Sequence, residues 1–114
     1  NAVIAVINEA VAEGLVLAER GGIAPELAYD VFSSGAVAAP YVLYKRDAFL
    51  HPHETPVGFT VDLLSKDLGL ILSLAESAGL TLAAVSAAAG VIEQARGLGL
   101  GSQDMSRVTD VVRD

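Results

Sequence analysis

Apolar residues three and four apart recur along most of this chain, and nowhere do they alternate. From Ala2 to about Glu19 they fall at Val3, Val6/Ile7, Ala10/Val11 and Leu15; from Thr60 to about Ala78 they fall at Leu64, Leu68, Ile71/Leu72 and Ala75. That period lines one side of an α-helix, whereas a half-buried strand needs a period of two. The fold class is therefore all-α.

Turn residues divide the pattern. Gly21 and Gly22 end the first helix. Pro25 suits the first turn of a second, "PELAYDVFSS", which stops near Gly35. Residues 36 to about 46 read as a third helix, with Pro40 in its first turn or at a kink. "DAFLHPHETPVGF", Asp47 to Phe59, has two prolines, a glycine and no period, and reads as a surface loop. A fourth helix runs from Thr60 to about Ala78 and is capped by Gly79. A fifth, about Leu82 to Arg96, is rich enough in alanine for a neighbour to approach its backbone. A last short helix starts near Asp104 or Met105. The expectation is one bundle of about six helices, and 114 residues is the size of one domain with its own core. "LVLAERGGI" (Leu15 to Ile23) and "LSLAESAGL" (Leu72 to Leu80) echo each other, as two helices that stop by the same physical means do.

Composition narrows the function classes. Apolar residues are 53% of the chain but aromatics only 5%, so the core is built from Ala, Val, Leu and Ile. A net charge of −7 disfavours nucleic acid and anionic lipid as partners. Without cysteine there is no disulfide framework or thiolate zinc site, and a cytoplasmic location is expected. The most lipid-like stretch is interrupted by Asn8, Glu9 and Glu13 and lacks the basic flank of a signal peptide, so neither a membrane span nor a targeting segment is expected. The chain opens on Asn1 already inside a helical pattern, as part of a longer protein would.

Local chemistry alone stays bland. "GLGLGS" (Gly97 to Ser102) follows a helix, whereas phosphate loops follow a strand. His51 and His53 have Glu54 as their only close carboxylate neighbour, and they sit in a surface loop. No serine sits in a nucleophile elbow. Asp104 and Ser106 stand where short polar side chains cap a helix. Asp62 and Lys66 are four apart, the spacing of a surface ion pair worth about 0.2–0.5 kcal/mol, which leaves Lys66 a solvated helix-face residue.

The order of motifs says more. The "N-x(7)-E-A-x-A-E-G-L-x-L-A-E" opening, then "GGIAPE", "PVGFTVDLLSKDLGLILSLAESAGL" and "GLGLGSQDMSRV", together span nearly the whole chain. They resemble the C-terminal domain of the β-hydroxyacid dehydrogenases, the group of 3-hydroxyisobutyrate dehydrogenase and tartronate semialdehyde reductase, whose bundle is like that of 6-phosphogluconate dehydrogenase. The resemblance implies an N-terminal Rossmann domain, not in this chain, that binds NAD or NADP. It implies that the helical domain closes over a small 3-hydroxy acid and forms a homodimer or tetramer. The family's catalytic lysine belongs to a K-x-x-x-N pattern. Asn1 matches its asparagine, so the lysine would lie four residues before Asn1 and the isolated fragment would be inactive. By the same resemblance Asn1 and Asp67 are substrate-binding residues, Lys66 is a cofactor contact, and Phe59 anchors its loop by packing. Two features depart from the family: Ala39 stands where many relatives have serine, and prolines common near Thr81 and Ala83 are missing. Two alternatives stay open, an imine-reducing enzyme of the same architecture and a non-catalytic dimerisation module.

Overall fold

In the computed structural model, which describes residues 1–114, the three-and-four period becomes seven α-helices. They are α1 (Ala2–Arg20), α2 (Pro25–Ser34), α3 (Pro40–Tyr44), α4 (Arg46–Leu50), α5 (Val61–Ser77), α6 (Ala83–Gly97) and α7 (Val108–Arg113), with a 3-10 turn, Met105–Arg107, leading into α7. The one β contact is an isolated antiparallel bridge between Thr60 and Asp104. No helix is long and apolar enough to cross a membrane.

The first helix is central. Ala5, Asn8, Ala12 and Leu15 lie on one of its faces and are buried in the bundle formed with α5, α6 and α7. From those helices come Leu64 and Leu68, then Val85, Ala88, Ile92 and Ala95, then Val108, all in one core cluster. The small side chains of Ala88 and Ala95 are buried, the close approach that the alanine-rich sequence of α6 allows.

The same core extends around Tyr29 of α2. Its ring stands 5.9 Å from both Phe32 and Phe49, and its hydroxyl donates to the carbonyl of Val42 at 2.7 Å. Burial pushes the phenol up to about 12, against the opposing pull of the Arg46 guanidinium, which lies 5.6 Å from the ring centre.

Between α2 and α5 the structure departs from the sequence expectation. Residues 36–39 are not helical: Ala39 is extended (φ −81°, ψ 157°), as the residue before a proline tends to be, and Pro40 opens α3. The expected third helix breaks at Lys45 and resumes as α4 as far as Leu50, inside the segment read as loop. Ala48 and Phe49 are buried there, and that burial holds a turn of helix which its five residues alone would not sustain.

The echoed helix ends are alike in three dimensions. Gly22 (φ 84°) and Gly79 (φ 69°) are both left-handed. At the first end Ile23 N–H donates to Ala18 at 2.9 Å and Gly22 N–H to Glu19 at 3.0 Å; at the second, Leu80 N–H donates to Ala75 at 2.9 Å and Gly79 N–H to Glu76 at 3.0 Å. Orphan carbonyls at both ends are thus satisfied by the same pair of bonds.

Candidate functional site

The start of α5 is fixed from outside the helix. The Thr60 hydroxyl accepts from Leu63 N–H at 3.1 Å and caps it. The segment before α7 then ties it down: Val61 N–H donates to Gln103 at 2.9 Å, Asp62 N–H to Gly101 at 2.9 Å, and Met105 N–H to Phe59 at 2.9 Å. Phe59 is half-buried against the core, the packing role expected of it.

Helical geometry then distributes the polar residues of α5. Leu64 and Leu68 face the core. Asp67 falls on the flank toward α1, where the Asn1 amide donates to its carboxylate at 2.6 Å. Ser65 and Asp62 fall on the flank toward α6: the Ser65 hydroxyl bonds to Glu93, and Asp62 accepts from Arg96 Nε at 2.8 Å. Lys66 leaves the axis about 100° away from Asp67, on the outward ridge. Asn1 and Asp67 are therefore brought together, and Lys66 points past them into solvent.

The ion pair expected between Asp62 and Lys66 does not form, because Asp62 is turned to Arg96. Lys66 is left in an unusual position. The chain has seven Lys and Arg residues. Lys45, Arg46, Arg96, Arg107 and Arg113 each meet a carboxylate, and Arg20 donates to the Arg113 carbonyl. Lys66 alone has no hydrogen bond or ion pair.

Two buried polar groups were not legible as such in the sequence. Tyr41 donates to Asn8 Oδ1 at 2.6 Å, and the Asn8 amide donates to the Met105 carbonyl at 3.0 Å, joining α1, α3 and the turn before α7. Burial raises the Tyr41 phenol well above its ordinary range, with Asp104 adding to the shift, so it stays a neutral donor. Lys45 meets Asp104, which does cap the 3-10 turn by accepting from Ser106 N–H at 3.0 Å. The only signal for Asn8 was its place among apolar residues on the inward face; Lys45 gave none, its partner being far along the chain.

An apolar hollow lies elsewhere. About 480 Å³ in volume, it is lined by Ile7, Ala10, Val11, Phe32, Val37 and Val42 among others. Ala39 also lines it, away from the Asn1–Asp67 corner. Without a charged or strongly polar group, it offers nothing to hold a carboxylate.

Known proteins resolve the class. A family described as "NAD-binding of NADP-dependent 3-hydroxyisobutyrate dehydrogenase" matches residues 1–112. The chain is 29% identical over 113 residues to glyoxylate/succinic semialdehyde reductase 1 of Arabidopsis thaliana, covering 99% of this chain and 39% of that protein. It is 32% identical over 100 residues to 2-(hydroxymethyl)glutarate dehydrogenase of Eubacterium barkeri, covering 88% of this chain and 33% of that one. It superposes on 3-hydroxyisobutyrate dehydrogenase from Salmonella typhimurium with a TM-score of 0.89 at 29% identity, over 96% of this chain and 38% of that one. The fold is that of an all-helical portion of the hydroxyacid dehydrogenases. The chain belongs to the 3-hydroxyisobutyrate dehydrogenase family, and it spans about two fifths or less of the relatives it matches.

Proposed function

We propose that this chain is the helical substrate and dimerisation domain of an NAD(P)-dependent oxidoreductase that interconverts a small 3-hydroxy acid and its aldehyde or keto acid. A Rossmann domain elsewhere in the protein holds most of the dinucleotide. The relatives' names support the substrate class: glyoxylate and succinic semialdehyde are short carboxylates bearing an aldehyde, and 2-(hydroxymethyl)glutarate is a 3-hydroxy acid. The observation that carries the reading is Lys66: an ammonium with no partner in the bundle, next in sequence to a carboxylate already bound to Asn1. A flexible cation on an outward ridge suits a phosphate or ribose edge presented across a cleft.

Within this reading each residue has one task. Asn1 offers its remaining N–H and its carbonyl to the substrate's hydroxyl or carboxylate. Asp67 would repel a carboxylate directly, so it acts by fixing the Asn1 amide in the orientation the substrate meets. A nicotinamide, when bound by the Rossmann domain, would supply the hydride. The proton on the carbonyl oxygen comes from the lysine expected four residues before Asn1, on the same helical face. A cytoplasmic location agrees with the lack of cysteine.

The test is the full-length protein assayed with either nicotinamide cofactor and short carboxylate-bearing aldehydes. Lys66→Ala is expected to raise the cofactor KM or lower turnover, with stability changed by less than about 0.5 kcal/mol, as at an exposed site. Unchanged kinetics would return Lys66 to solvent. Aspartate or tyrosine at the position four before Asn1 would favour imine reduction over hydroxy-acid chemistry. Failure to bind either cofactor would favour a non-catalytic dimerisation module.

A further inference from the structure

Lys45 and Asp104 form the one ion pair of this chain removed from water, with side chains only 7% and 8% exposed. Lys45 sits at the break between α3 and α4, and its Nζ donates to Asp104 Oδ1 at 2.8 Å and Oδ2 at 2.7 Å. The same carboxylate accepts from Gly58 N–H at 2.8 Å, Phe59 N–H at 3.3 Å and Ser106 N–H at 3.0 Å. Its acceptor capacity is filled. Burial opposes the charge on Asp104, but Lys45 and the backbone N–H groups of Ser106 and Gly58 more than offset it and hold the carboxyl below its ordinary range.

Such a pair is a poor way to gain stability alone, since apolar residues of similar volume would often serve as well. What it supplies is direction. Five hydrogen bonds onto one carboxylate fix three backbone groups within hydrogen-bond tolerance, where hydrocarbon contacts would let them slide. Gly58 lies directly against the pair: a Cβ there would make ordinary contact, 3.4 Å from Lys45 Nζ and 3.6 Å from Asp104 Oδ2, so that a branched side chain would press on it. Onward from Gly58 every step is tied, through Phe59 to Met105, Val61 to Gln103 and Asp62 to Gly101. Asp67 lies six residues beyond Val61, about 9 Å along the axis of a rigid helix.

We infer that the buried Lys45–Asp104 pair is the positioning clamp of the site: it anchors Gly58 and Phe59, and so sets where α5 begins and where Lys66 and Asp67 stand relative to Asn1. Neither clamp residue touches substrate or cofactor. The inference rests on the proposed oxidoreductase function.

The test uses the full-length enzyme. Lys45→Met with Asp104→Asn removes both charges while leaving one side-chain oxygen to accept from the backbone. Assayed at a temperature where circular dichroism shows it folded, this double variant is expected to lose about tenfold or more in kcat/KM, the scale of a sub-ångström to ångström misplacement. In that background Lys66→Ala should cost less than it does in the native enzyme, because the lysine is already misplaced. A purely structural pair would lower the melting temperature, leave kcat and KM unchanged, and leave the cost of Lys66→Ala intact; that result overturns the inference. Should the double variant not fold, Gly58→Val presses on the clamp with its charges kept, and the same two outcomes decide. A protein without nicotinamide-dependent activity overturns the functional reading and this inference together; an active enzyme indifferent to Lys66→Ala takes Lys66 out of the site and overturns the inference alone. An active, Lys66-dependent enzyme that ignores the clamp overturns the inference alone.

Discussion

Glu9 shows how far a residue's chemistry depends on what folds around it. It sits on α1 one place beyond the buried Asn8, and its Oε1 is buried with no hydrogen-bond partner. Desolvation, with the nearby Glu13 carboxylate adding to it, pushes the carboxyl up to about 7 from 4.5. The folded state therefore binds this proton more tightly than the unfolded chain. Stability falls as pH rises from 4.5 through about 7, and the penalty is complete above that range. Replacing Glu9 by Gln should stabilise the protein at pH 8 by about 1 kcal/mol, a value reduced for the solvent that reaches half of the side chain, and should gain little at pH 4. Equal melting-temperature shifts at both pH values would contradict this. Nothing in "VINEAVAEG" distinguishes Glu9 from Glu13 except phase on the helix. The same limit hid Lys45, which in sequence is one more polar residue near a helix end. Asn1, Lys66 and Asp67 are legible only through motif resemblance; the Asn1–Asp67 hydrogen bond comes from the packing of α1 against α5.

At the level of the element, local signals worked where local forces decide. The long helices α1, α5 and α6 fall within a residue or two of the expected bounds, because each carries several turns of apolar stripe and a glycine-bearing C-terminal turn. Two glycines near α5 have opposite consequences. At Gly79 the left-handed backbone is the constraint, since a Cβ there would meet no atom within 4 Å; Gly79→Ala should cost about 1 kcal/mol through strain alone. Gly69, inside α5 and equally open, should gain up to about 1 kcal/mol as alanine. Chemical denaturation of both variants checks the pair, and the same sign for both would contradict it. The region of α3 and α4 departs from its sequence pattern because neither helix forms by local preference. Proline sets where α3 begins; the reach of Lys45 to Asp104 sets the break, and burial of Phe49 sustains α4 beyond it.

Across the whole molecule α1 stands out by being apolar on two sides. Its inward face fills the core, while Val3, Ile7, Ala10, Gly14 and Leu17 run along another face; Val3 is 72% and Leu17 75% exposed. Single exposed apolar residues are ordinary, but here Val3, Ala10 and Leu17 stand exposed along a stripe whose half-buried Ile7 and Gly14 line an apolar hollow, the kind of surface an interface uses. It is free of charge in a chain whose net charge is −7, so two copies could meet there with the least repulsion. The proposed homodimer is expected to use this face. Leu17→Arg should shift sedimentation from dimer toward monomer without lowering the thermal stability of the protomer. A wild-type protein that sediments as a monomer at every concentration would count against it.

Sequence by itself determined that the chain is helical, where its long helices stop, which family it joins and which three residues to watch. Those features rest on interactions within a few residues of each other, or on motifs that survive as strings. Tertiary structure alone decided that Asn1 meets Asp67, that Lys66 is left without a partner while Asp62 turns to Arg96, and that Lys45 is buried on Asp104. Each is a pairing between segments distant in the chain, and periodicity fixes the face a residue occupies but not what arrives to meet it.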